Sequence, residues 1–481
     1  MKLEIKRMRF VLISVLLLCA MARQTGAATI TVTNTNDSGP GSLRQALANA
    51  NNGDTISFTV TGTIALTSGG LPVTKNVTIS GPGANQLAVN GNQALFAFGV
   101  FPQRTVSISG LRIRNAQVGV YNNQGTVSVS NCALSGNSSA GLYNHVGASM
   151  TVATSNISNN SGTGADNQGT LTVSSCVLSD NSNAGISNSG TVTVSNCALS
   201  GNSGGMTSFG TLTVSYCEIS GNSGDGIFNG GTLTVSNCAL SGNSGDGIGN
   251  RAFSSGAASL TVVNSNVSDN HSIGISNYVD EFAVLTTTIR STAVSGNSAG
   301  GVLAQGGGVI FGGSIQVTVT DCTVSGNSFW GGIHATGLTN LTVTNSTISG
   351  NSANTGFPGG DSGGGIYGAN LVENSTISGN SAATSGGGIY GSIEIVNSTI
   401  SGNSAGTSGG GIYNFPYSLN VANSTITGNS APSGGGIYNT SSLVVRNTIL
   451  NAGASGENIF NDGGTITSLG YNLSSDDGGG Y

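Results

Sequence analysis

The sequence predicts an all-β protein, a right-handed parallel β-helix, because one short unit is repeated along most of its length. The unit is clearest at Thr232–Asn250, TLTVSNCALSGNSGDGIGN, and close copies precede and follow it. Its period is regular, since four cysteines fall 21, 20 and 21 residues apart, at Cys176, Cys197, Cys217 and Cys238. A period of this length is typical of solenoids, in which each repeat buries its apolar face against its neighbours.

Apolar and polar residues alternate within the unit, as they do in half-buried strands. We therefore expect an outward Thr234 and four inward side chains, those of Leu233, Val235, Leu240 and Ile248. Runs of Asn, Ser and Gly separate these positions and favour turns, so each coil should contain about three short strands. Roughly 16 such coils would make a rod about 75–80 Å long.

Equivalent residues of successive coils should stack in columns. One column is polar and contains Asn181, Asn202, Asn222 and Asn243. Because a buried amide must be satisfied, we expect these amides to bond one another and the backbone of the turns.

The first 27 residues have the pattern of a secretory signal peptide. Basic residues come first, an apolar run follows over Phe10–Ala20, and the small residue Ala22 or Ala27 would precede the cleavage site. The apolar run is short for a membrane span, so we expect an exported protein whose mature chain does not cross a membrane. Such a protein would work outside the cell, free or at the bacterial cell surface or outer membrane.

The composition after Ala27 is acidic, with eight basic and 18 acidic residues and Lys75 as the only lysine. This balance excludes nucleic acid as a partner and polybasic attachment to an anionic membrane.

An amphipathic helix is expected near the start of the mature chain. Ser42 and Gln45 form a capping-box pattern, and Gly53 marks the end of the segment. Since the first coil of a solenoid exposes its apolar end, we interpret this helix as an N-terminal cap, within a region of cap and first coils over residues 28–100.

Two groups of residues give the chain a family resemblance. The segment TNTNDSGPGSLRQALANANNGDTISF at Thr33–Phe58, followed by VTISGPG at Val77–Gly83, resembles the N-terminal module of secreted bacterial right-handed β-helix proteins. The units at Ser378–Tyr390 and Ser401–Asn414 resemble the repeats of polymorphic outer-membrane proteins. This resemblance implies a pectin-lyase-like fold that is displayed or released outside the cell.

The repeats are expected over residues 101–470. From Thr105 to Asn250 they are regular, and insertions lengthen later turns at Arg251–Ala258, Tyr278–Phe282, Ala304–Gly313 and Asn354–Ser362. Such insertions map to loops, which often carry binding. Residues 471–481 form a C-terminal tail that we expect to be either truncated or closed by an unrecognised cap.

The cysteines and histidines are not predicted to carry chemistry. Serine takes the place of the cysteine in other coils, for example at Ser155 and Ser265. The column is therefore interpreted as a small buried slot holding free thiols or hydroxyls. The three histidines, His145, His271 and His334, are expected to be isolated surface residues.

One pair of carboxylates repeats, at Asp225 and Asp246. Equivalent positions on adjacent coils lie about 5 Å apart, which would suit calcium or a retaining glycosidase pair. The alternative is two solvated loop tips, because neighbouring coils add no third acid. No cofactor is expected, with calcium as the one candidate.

The C-terminal third repeats Gly-Gly-Gly-Ile-Tyr. Its isoleucines align with Ile248, so alternation turns the tyrosines outward at Tyr367, Tyr390, Tyr413 and Tyr438. An aromatic strip of this kind suits sugar rings or an extended peptide. Two alternatives stay open: loops cover the rings, or the stack only stabilises the sheet.

Three functions remain compatible with the sequence. The leading hypothesis is a non-catalytic secreted or surface-displayed protein that binds a glycan or a surface protein. The second is a polysaccharide lyase or hydrolase, although the acids and arginines of residues 101–250 are too dispersed to assemble into an active site. The third is a passive structural spacer.

Overall fold

A computed structural model describes residues 26–254, 256–280, 282–306, 312–354, 356, 361–451 and 453–479. The predicted signal peptide lies almost wholly outside these residues. The described chain winds through three long parallel sheets, here called A, B and C, and each coil visits them in that order. One helix, α1 at Leu43–Asn49, interrupts the first coil.

Sheet A has 19 strands, and in most coils apolar side chains point inward while Thr and Ser point outward. Its strands are β1 Thr29–Val32, β2 Thr55–Phe58, β5 Val77–Ser80, β8 Thr105–Ser109, β11 Thr126–Ser130, β14 Ser149–Ala153, β17 Thr170–Ser174, β20 Thr191–Ser195, β23 Thr211–Ser215, β26 Thr232–Ser236, β29 Ala257–Val263, β32 Val284–Arg290, β35 Ser314–Thr320, β38 Thr339–Thr344, β42 Leu371–Glu373, β46 Glu394–Val396, β50 Leu419–Ala422, β53 Ser442–Arg446 and β56 Thr465–Ser468.

Sheet B has 18 strands, most of only three residues, and every strand before β57 has a buried aliphatic residue at or near its centre. Its strands are β3 Gly62–Ala65, β6 Leu87–Asn90, β9 Arg112–Arg114, β12 Ala133–Ser135, β15 Asn156–Ser158, β18 Val177–Ser179, β21 Ala198–Ser200, β24 Glu218–Ser220, β27 Ala239–Ser241, β30 Asn266–Ser268, β33 Ala293–Ser295, β36 Thr323–Ser325, β39 Thr347–Ser349, β43 Thr376–Ser378, β47 Thr399–Ser401, β51 Thr425–Thr427, β54 Ile449–Asn451 and β57 Leu473–Ser474.

Sheet C has 17 strands, and a small fourth sheet of β40 Ser352–Ala353, β44 Ser381–Ala382 and β48 Ser404–Ala405 lies between B and C in later coils. The strands of sheet C are β4 Leu71–Val73, β7 Phe96–Val100, β10 Val118–Asn122, β13 Ala140–Asn144, β16 Thr163–Asn167, β19 Ala184–Asn188, β22 Gly204–Ser208, β25 Ile227–Asn229, β28 Ile248–Ala252, β31 Ile273–Val279, β34 Gly300–Gln305, β37 Ile333–Thr336, β41 Ile366–Tyr367, β45 Ile389–Tyr390, β49 Ile412–Asn414, β52 Ile437–Asn439 and β55 Ile459–Asn461.

The predicted register is confirmed. Val214 pairs with Val235, and Ile219 with Leu240, on successive coils. The side chains of Leu233, Val235, Leu240 and Ile248 are buried, while Thr234 is half-exposed. Within the described residues the solenoid has about 18 turns, more than the 16 expected.

Two sharp bends flank each three-residue strand of sheet B. The residue after most strands of sheet A has a left-handed backbone, as at Asn131 with φ 51° and Asn237 with φ 53°. A second left-handed residue follows the sheet B strand, and in most coils it is a glycine such as Gly242 with φ 62°. Asparagine and glycine tolerate this conformation best, which explains their repeated use at these two places.

A buried asparagine column follows the second bend, as predicted. The Nδ2 of Asn181 donates to Oδ1 of Asn202 over 2.9 Å, and the backbone N–H of Asn181 donates to the same oxygen over 3.1 Å. The same pattern links 13 asparagines, which are Asn137, Asn160, Asn181, Asn202, Asn222, Asn243, Asn270, Asn297, Asn327, Asn351, Asn380, Asn403 and Asn429. Each amide therefore joins neighbouring coils without leaving a buried acceptor unpaired.

The cysteine column is a slot shared with serine, and all six cysteines of the described chain are free and buried. The backbone N–H of Cys176 donates to Sγ of Cys197 over 3.3 Å, and that of Cys132 donates to Oγ of Ser155 over 3.2 Å. Sulfur and oxygen thus accept the same bond in this column.

Helix α1 begins at the predicted N-cap, since the Ser42 hydroxyl accepts from the N–H of Gln45 over 3.2 Å. The Gln45 side chain donates to Asn49 instead of returning to Ser42, so the capping box is half formed. Leu43, Ala46 and Leu47 are buried. No helix within the described residues combines the length and the apolar character that a membrane crossing needs.

Candidate functional site

The predicted tyrosine column is a continuous stack on the outer side of sheet C. The isoleucine before each ring is buried and each tyrosine is half-buried, which confirms the outward orientation. Ring centroids lie 4.7, 5.0 and 5.1 Å apart along the series Tyr367, Tyr390, Tyr413 and Tyr438. The planes deviate by only 4–6°, because every ring repeats the backbone position of its neighbour.

Other aromatic residues extend this stack at both ends. His334 lies 4.4 Å from the ring of Tyr367, and Trp330 lies 4.7 Å from His334. At the other end Phe460 lies 5.2 Å from Tyr438. His334 is only 4% exposed, so its prediction as a surface residue is wrong: the next coil supplies a ring that covers it.

A groove of about 780 Å³ runs beside the first two tyrosines, at the bend that joins sheet C to sheet A. Tyr367 and Tyr390 line it, whereas Tyr413 and Tyr438 do not. Its lining starts at Val284 of β32 and ends at Tyr417, just before β50. These positions span five coil spacings, so the groove extends about 24 Å along the solenoid.

Exposed apolar side chains form the walls of the groove. Phe415 and Tyr417, from one bend, are about half exposed, and Phe415 packs edge-on at 6.4 Å from Tyr413. Leu338 and Ile393, from two other bends, are also exposed. Large apolar groups that remain in water around a concave surface are typical of a binding site.

Polar side chains line the sheet A side of the groove. Thr286, Gln316 and Asn340 occupy one exposed register column of three strands. Asn370 uses its Oδ1 to accept from the N–H of Leu341 over 2.9 Å. Within the described chain, the amides of Gln316 and Asn340 and the Nδ2 of Asn370 have no protein partner. They can therefore bond hydroxyl or carbonyl groups of a ligand.

The described residues that line the groove include no Asp, Glu, Lys, Arg or His. The titratable groups there are tyrosines, and burial raises the pKa of Tyr367 and raises that of Tyr390 to about 12. Their hydroxyls stay protonated at neutral pH. The groove can thus offer stacking faces and neutral hydrogen-bond donors, but no acid or base poised near pH 7.

The sequence matches a family model described as "right handed beta helix region", over residues 89–240 and 166–282. With the parallel register of sheets A, B and C, this match decides the fold. The chain is a right-handed parallel β-helix.

Several solved structures are similar to this β-helix. The alginate lyase from Paenibacillus sp. str. FPU-7 is 14% identical, with 53% of this chain and 93% of that chain covered and a TM-score of 0.35. The pectate lyase Pel9A is 16% identical, with 67% and 76% covered and a TM-score of 0.28. The Dettilon tailspike protein is 10% identical, with 92% and 68% covered and a TM-score of 0.35.

None of the curated proteins matches the sequence of the β-helix.

Asp225 and Asp246 lie on adjacent coils of the β-helix, three and two coils before the coil of β32, where the groove begins. Oδ1 of Asp225 accepts from the N–H of Asp246 over 2.8 Å, and Oδ1 of Asp246 accepts from the N–H of Ile273 over 3.0 Å. Burial and the Asp246 carboxylate raise the pKa of Asp225. Each carboxylate therefore binds the backbone of the next coil.

Within the described residues no third acidic, histidine or cysteine side chain joins this pair. A calcium ion at this place stays a prediction.

The sequence did not predict the groove or a second asparagine column. That column follows the strands of sheet C, where Asn122 donates to Asn144 over 2.9 Å and Asn229 donates to Asn250 over 2.8 Å. The sequence does contain a sign of this column, because the repeated segments AGISN, GIFN and GIGN all end in asparagine. The groove left no such signal, because its walls come from bends of unequal length.

Proposed function

We propose that this β-helix is a non-catalytic binding protein for a neutral glycan, and that the groove beside Tyr367 and Tyr390 holds the glycan. The observation that carries the proposal is the composition of the groove, which joins exposed aromatic rings to unpaired amides and contains no charged side chain among its described residues. Aromatic faces cover the apolar side of a sugar ring, and amides bond its hydroxyls.

Charge favours a neutral glycan over a polyuronate. A polyuronate carries one carboxylate per unit and needs arginine, lysine or a cation to compensate it. The described lining offers none of these, and the whole chain has a net charge of −6. An acidic protein repels a polyanion unless a local basic patch reverses the field.

The alternative is a polysaccharide lyase or hydrolase. Such an enzyme needs a general acid and a general base within reach of one sugar unit. Asp225, with its raised pKa, and Asp246 are the pair that would supply them, but both bind backbone N–H groups and lie outside the groove. Release of reducing ends from any polysaccharide by the purified protein would favour this alternative.

The test is affinity electrophoresis of the purified protein in gels that contain neutral polysaccharides (cellulose ether, xylan, galactomannan, β-1,3-glucan) or anionic ones (pectate, alginate), with and without calcium. We expect retardation by at least one neutral polymer and none by the anionic polymers. The double variant Tyr367→Ser, Tyr390→Ser should lose the retardation without losing its fold, because serine occupies this column at Ser187 and Ser276.

A matched control exists in the same column. Tyr121 and Tyr143 stack at 5.3 Å and 11° but lie far from the groove. The variant Tyr121→Ser, Tyr143→Ser should therefore melt like the groove variant and keep the retardation. Equal loss in both variants, or retardation by pectate alone, would contradict the proposal. If both variants melt early and no polymer is ever bound, the stack is structural and the molecule is a spacer.

Two further parts of the proposal concern location and the first coil. We propose export from the cell, which the pattern of residues 1–27 supports; fractionation of the producing cell checks it. We also propose that α1 caps the first coil. Its support is the burial of Leu43, Ala46 and Leu47, and Leu43→Asp should lower the melting temperature.

A further inference from the structure

The bend between sheets C and A, here called the C–A edge, continues the apolar character of the groove toward the N-terminus. From the end of β22 to the start of β50, the exposed large apolar side chains along it include those of Phe209, Phe253, Phe282, Leu338, Ile393 and Phe415. The last three border or line the groove. The first two belong to a separate cluster of aromatic rings.

This cluster, the Phe triad, contains Phe209, Phe228 and Phe253. Its ring centroids lie 5.9, 6.2 and 6.2 Å apart, and the planes are tilted by 41–57°. Gly230 makes the cluster possible, because a Cβ there would lie 2.7 Å from the ring of Phe209 and 3.3 Å from that of Phe253. Although the rings contact one another, Phe209 remains 58% exposed.

An ion pair lies beside the Phe triad. The guanidinium of Arg251 lies 5.1 Å from the ring centroid of Phe253, and its Nη2 lies 3.2 Å from Oδ1 of Asp280. The triad therefore shares aromatic faces with the groove, and the Arg251–Asp280 pair beside it adds no net charge.

The Phe triad and the groove are continuous along the solenoid. The triad ends in the bend after β28, and the next bend of the C–A edge contains Phe282, close to Val284 of β32, where the lining of the groove begins. From β22 to β49 there are eight coil spacings, or about 38 Å, of which the groove takes about 24 Å. A linear polymer along the C–A edge would contact both.

We infer that the Phe triad is a second contact site for the same ligand, a linear neutral polysaccharide that lies parallel to the solenoid axis along the C–A edge. This inference rests on the proposed function of the groove. If one sugar unit advances by about one coil spacing, the groove holds about six units and the whole track about nine.

The experiment measures affinity against ligand length. The probes are oligosaccharides of about 4 to 12 sugar units, prepared from the neutral polysaccharide that retards the protein. Each sugar unit is taken to span about one coil spacing. For the unchanged protein, affinity should rise to a first level near six units and then rise a further fivefold to tenfold by about nine units.

The variant Phe209→Ser, Phe253→Ser should lose only the second rise. Ser189 already occupies the place of Phe209 in the preceding coil, so the fold should tolerate the change. The variant Phe209→Leu, Phe253→Leu keeps apolar bulk without ring faces and should lose the same rise. Tyr216→Asn is the matched control, since it removes an aromatic ring that is 63% exposed at another bend. It should keep both rises.

The outcomes separate the two proposals. A single plateau at six units in the unchanged protein would overturn the second site and leave the groove intact. A second rise that survives in both Phe variants would also overturn it. Absence of binding at every length would overturn the second site together with the proposed function.

Discussion

His334 occupies the place that tyrosine holds in the next four coils, and it lies between the rings of Trp330 and Tyr367. Its Nδ1 is buried without a hydrogen-bond partner among the described residues. Burial lowers the pKa of His334 from 6.5 to about 4. The imidazole is therefore neutral at pH 7 and behaves as one more ring of the stack.

The stability of the protein should depend on pH through His334. Below about pH 6.5 the unfolded chain binds a proton at this histidine, whereas the folded chain does so only near pH 4. The free energy of unfolding should therefore be highest above pH 6.5. It should fall by about 3 kcal/mol or less between pH 7 and pH 4, as measured by urea unfolding at each pH.

The variant His334→Tyr should remove this part of the pH dependence, because tyrosine is neutral over the whole range. His271→Ser is the control, since His271 is exposed and serine occupies the same position at Ser244 and Ser298. An unchanged slope in His334→Tyr would show that the acid sensitivity comes from other groups.

The cysteine column offers a second test on single side chains. Burial raises the pKa of Cys132 to about 11 and also raises that of Cys322, so these thiols should not react with thiol reagents at pH 7 until the chain unfolds. Replacing Cys176, Cys197, Cys217 and Cys238 with Ser should cost about 1 kcal/mol or less per site, because serine accepts the same backbone bond.

The contrasting variant changes the same four cysteines to Val. Valine cannot accept the backbone N–H of the preceding coil, so each site should cost about 1–3 kcal/mol. Thermal unfolding followed by circular dichroism compares the two quadruple variants. Equal melting temperatures would mean that the hydrogen bonds of this column contribute nothing.

At the scale of one bend, the asparagine column after sheet B joins neighbouring coils through side-chain hydrogen bonds. Oδ1 of Asn222 accepts from both nitrogens of Asn202, over 3.0 and 3.1 Å. Asn222→Ala would leave the buried backbone N–H of Asn202 unpaired and its Nδ2 with a single bond, to the carbonyl of Leu178, and we expect the free energy of unfolding to fall by about 2–4 kcal/mol. Ser223→Ala, at the exposed neighbouring position, is the control for urea unfolding. Equal loss in both variants would contradict this role.

The repeat in the sequence made this element predictable, because Asn181, Asn202 and Asn222 recur with the period itself. The outward orientation of the tyrosine side chains is predictable for the same reason, since the preceding Ile366 aligns with the inward Ile248. His334 falls in the tyrosine column, so the ring of Tyr367 on one side follows from the alignment. Its burial was not predictable, because the ring on the other side is that of Trp330, which lies outside the repeated positions.

At the scale of the whole molecule, the fold follows from local repetition, whereas the groove depends on irregular bends. Leu338, Ile393 and Phe415 belong to bends of different length and composition, so no period relates them. Only the stacking of their coils brings them to one side of Tyr367 and Tyr390.

The uncharged groove predicts binding that does not depend on salt. Raising the salt from about 0.05 to 0.5 M shortens the Debye length from roughly 14 to 4 Å, which weakens charged contacts and leaves stacking and neutral hydrogen bonds intact. Retardation by the neutral polymer should therefore stay within about twofold over this range. A tenfold loss would reveal a charged contact and contradict the assignment of the groove as a neutral site.

The two bends that flank sheet B have a consequence for how this molecule can change its length. Because each coil closes with the same pair of left-handed residues, Asn237 and Gly242 for example, the coils from Thr170 to Ser241 are nearly interchangeable parts. Loss or duplication of one of them would join two surfaces that already fit. The axial distance between Tyr143 and the Phe triad can therefore change only in whole steps of about 4.8 Å. Each gene duplication or deletion that adds or removes one coil changes this distance by one step.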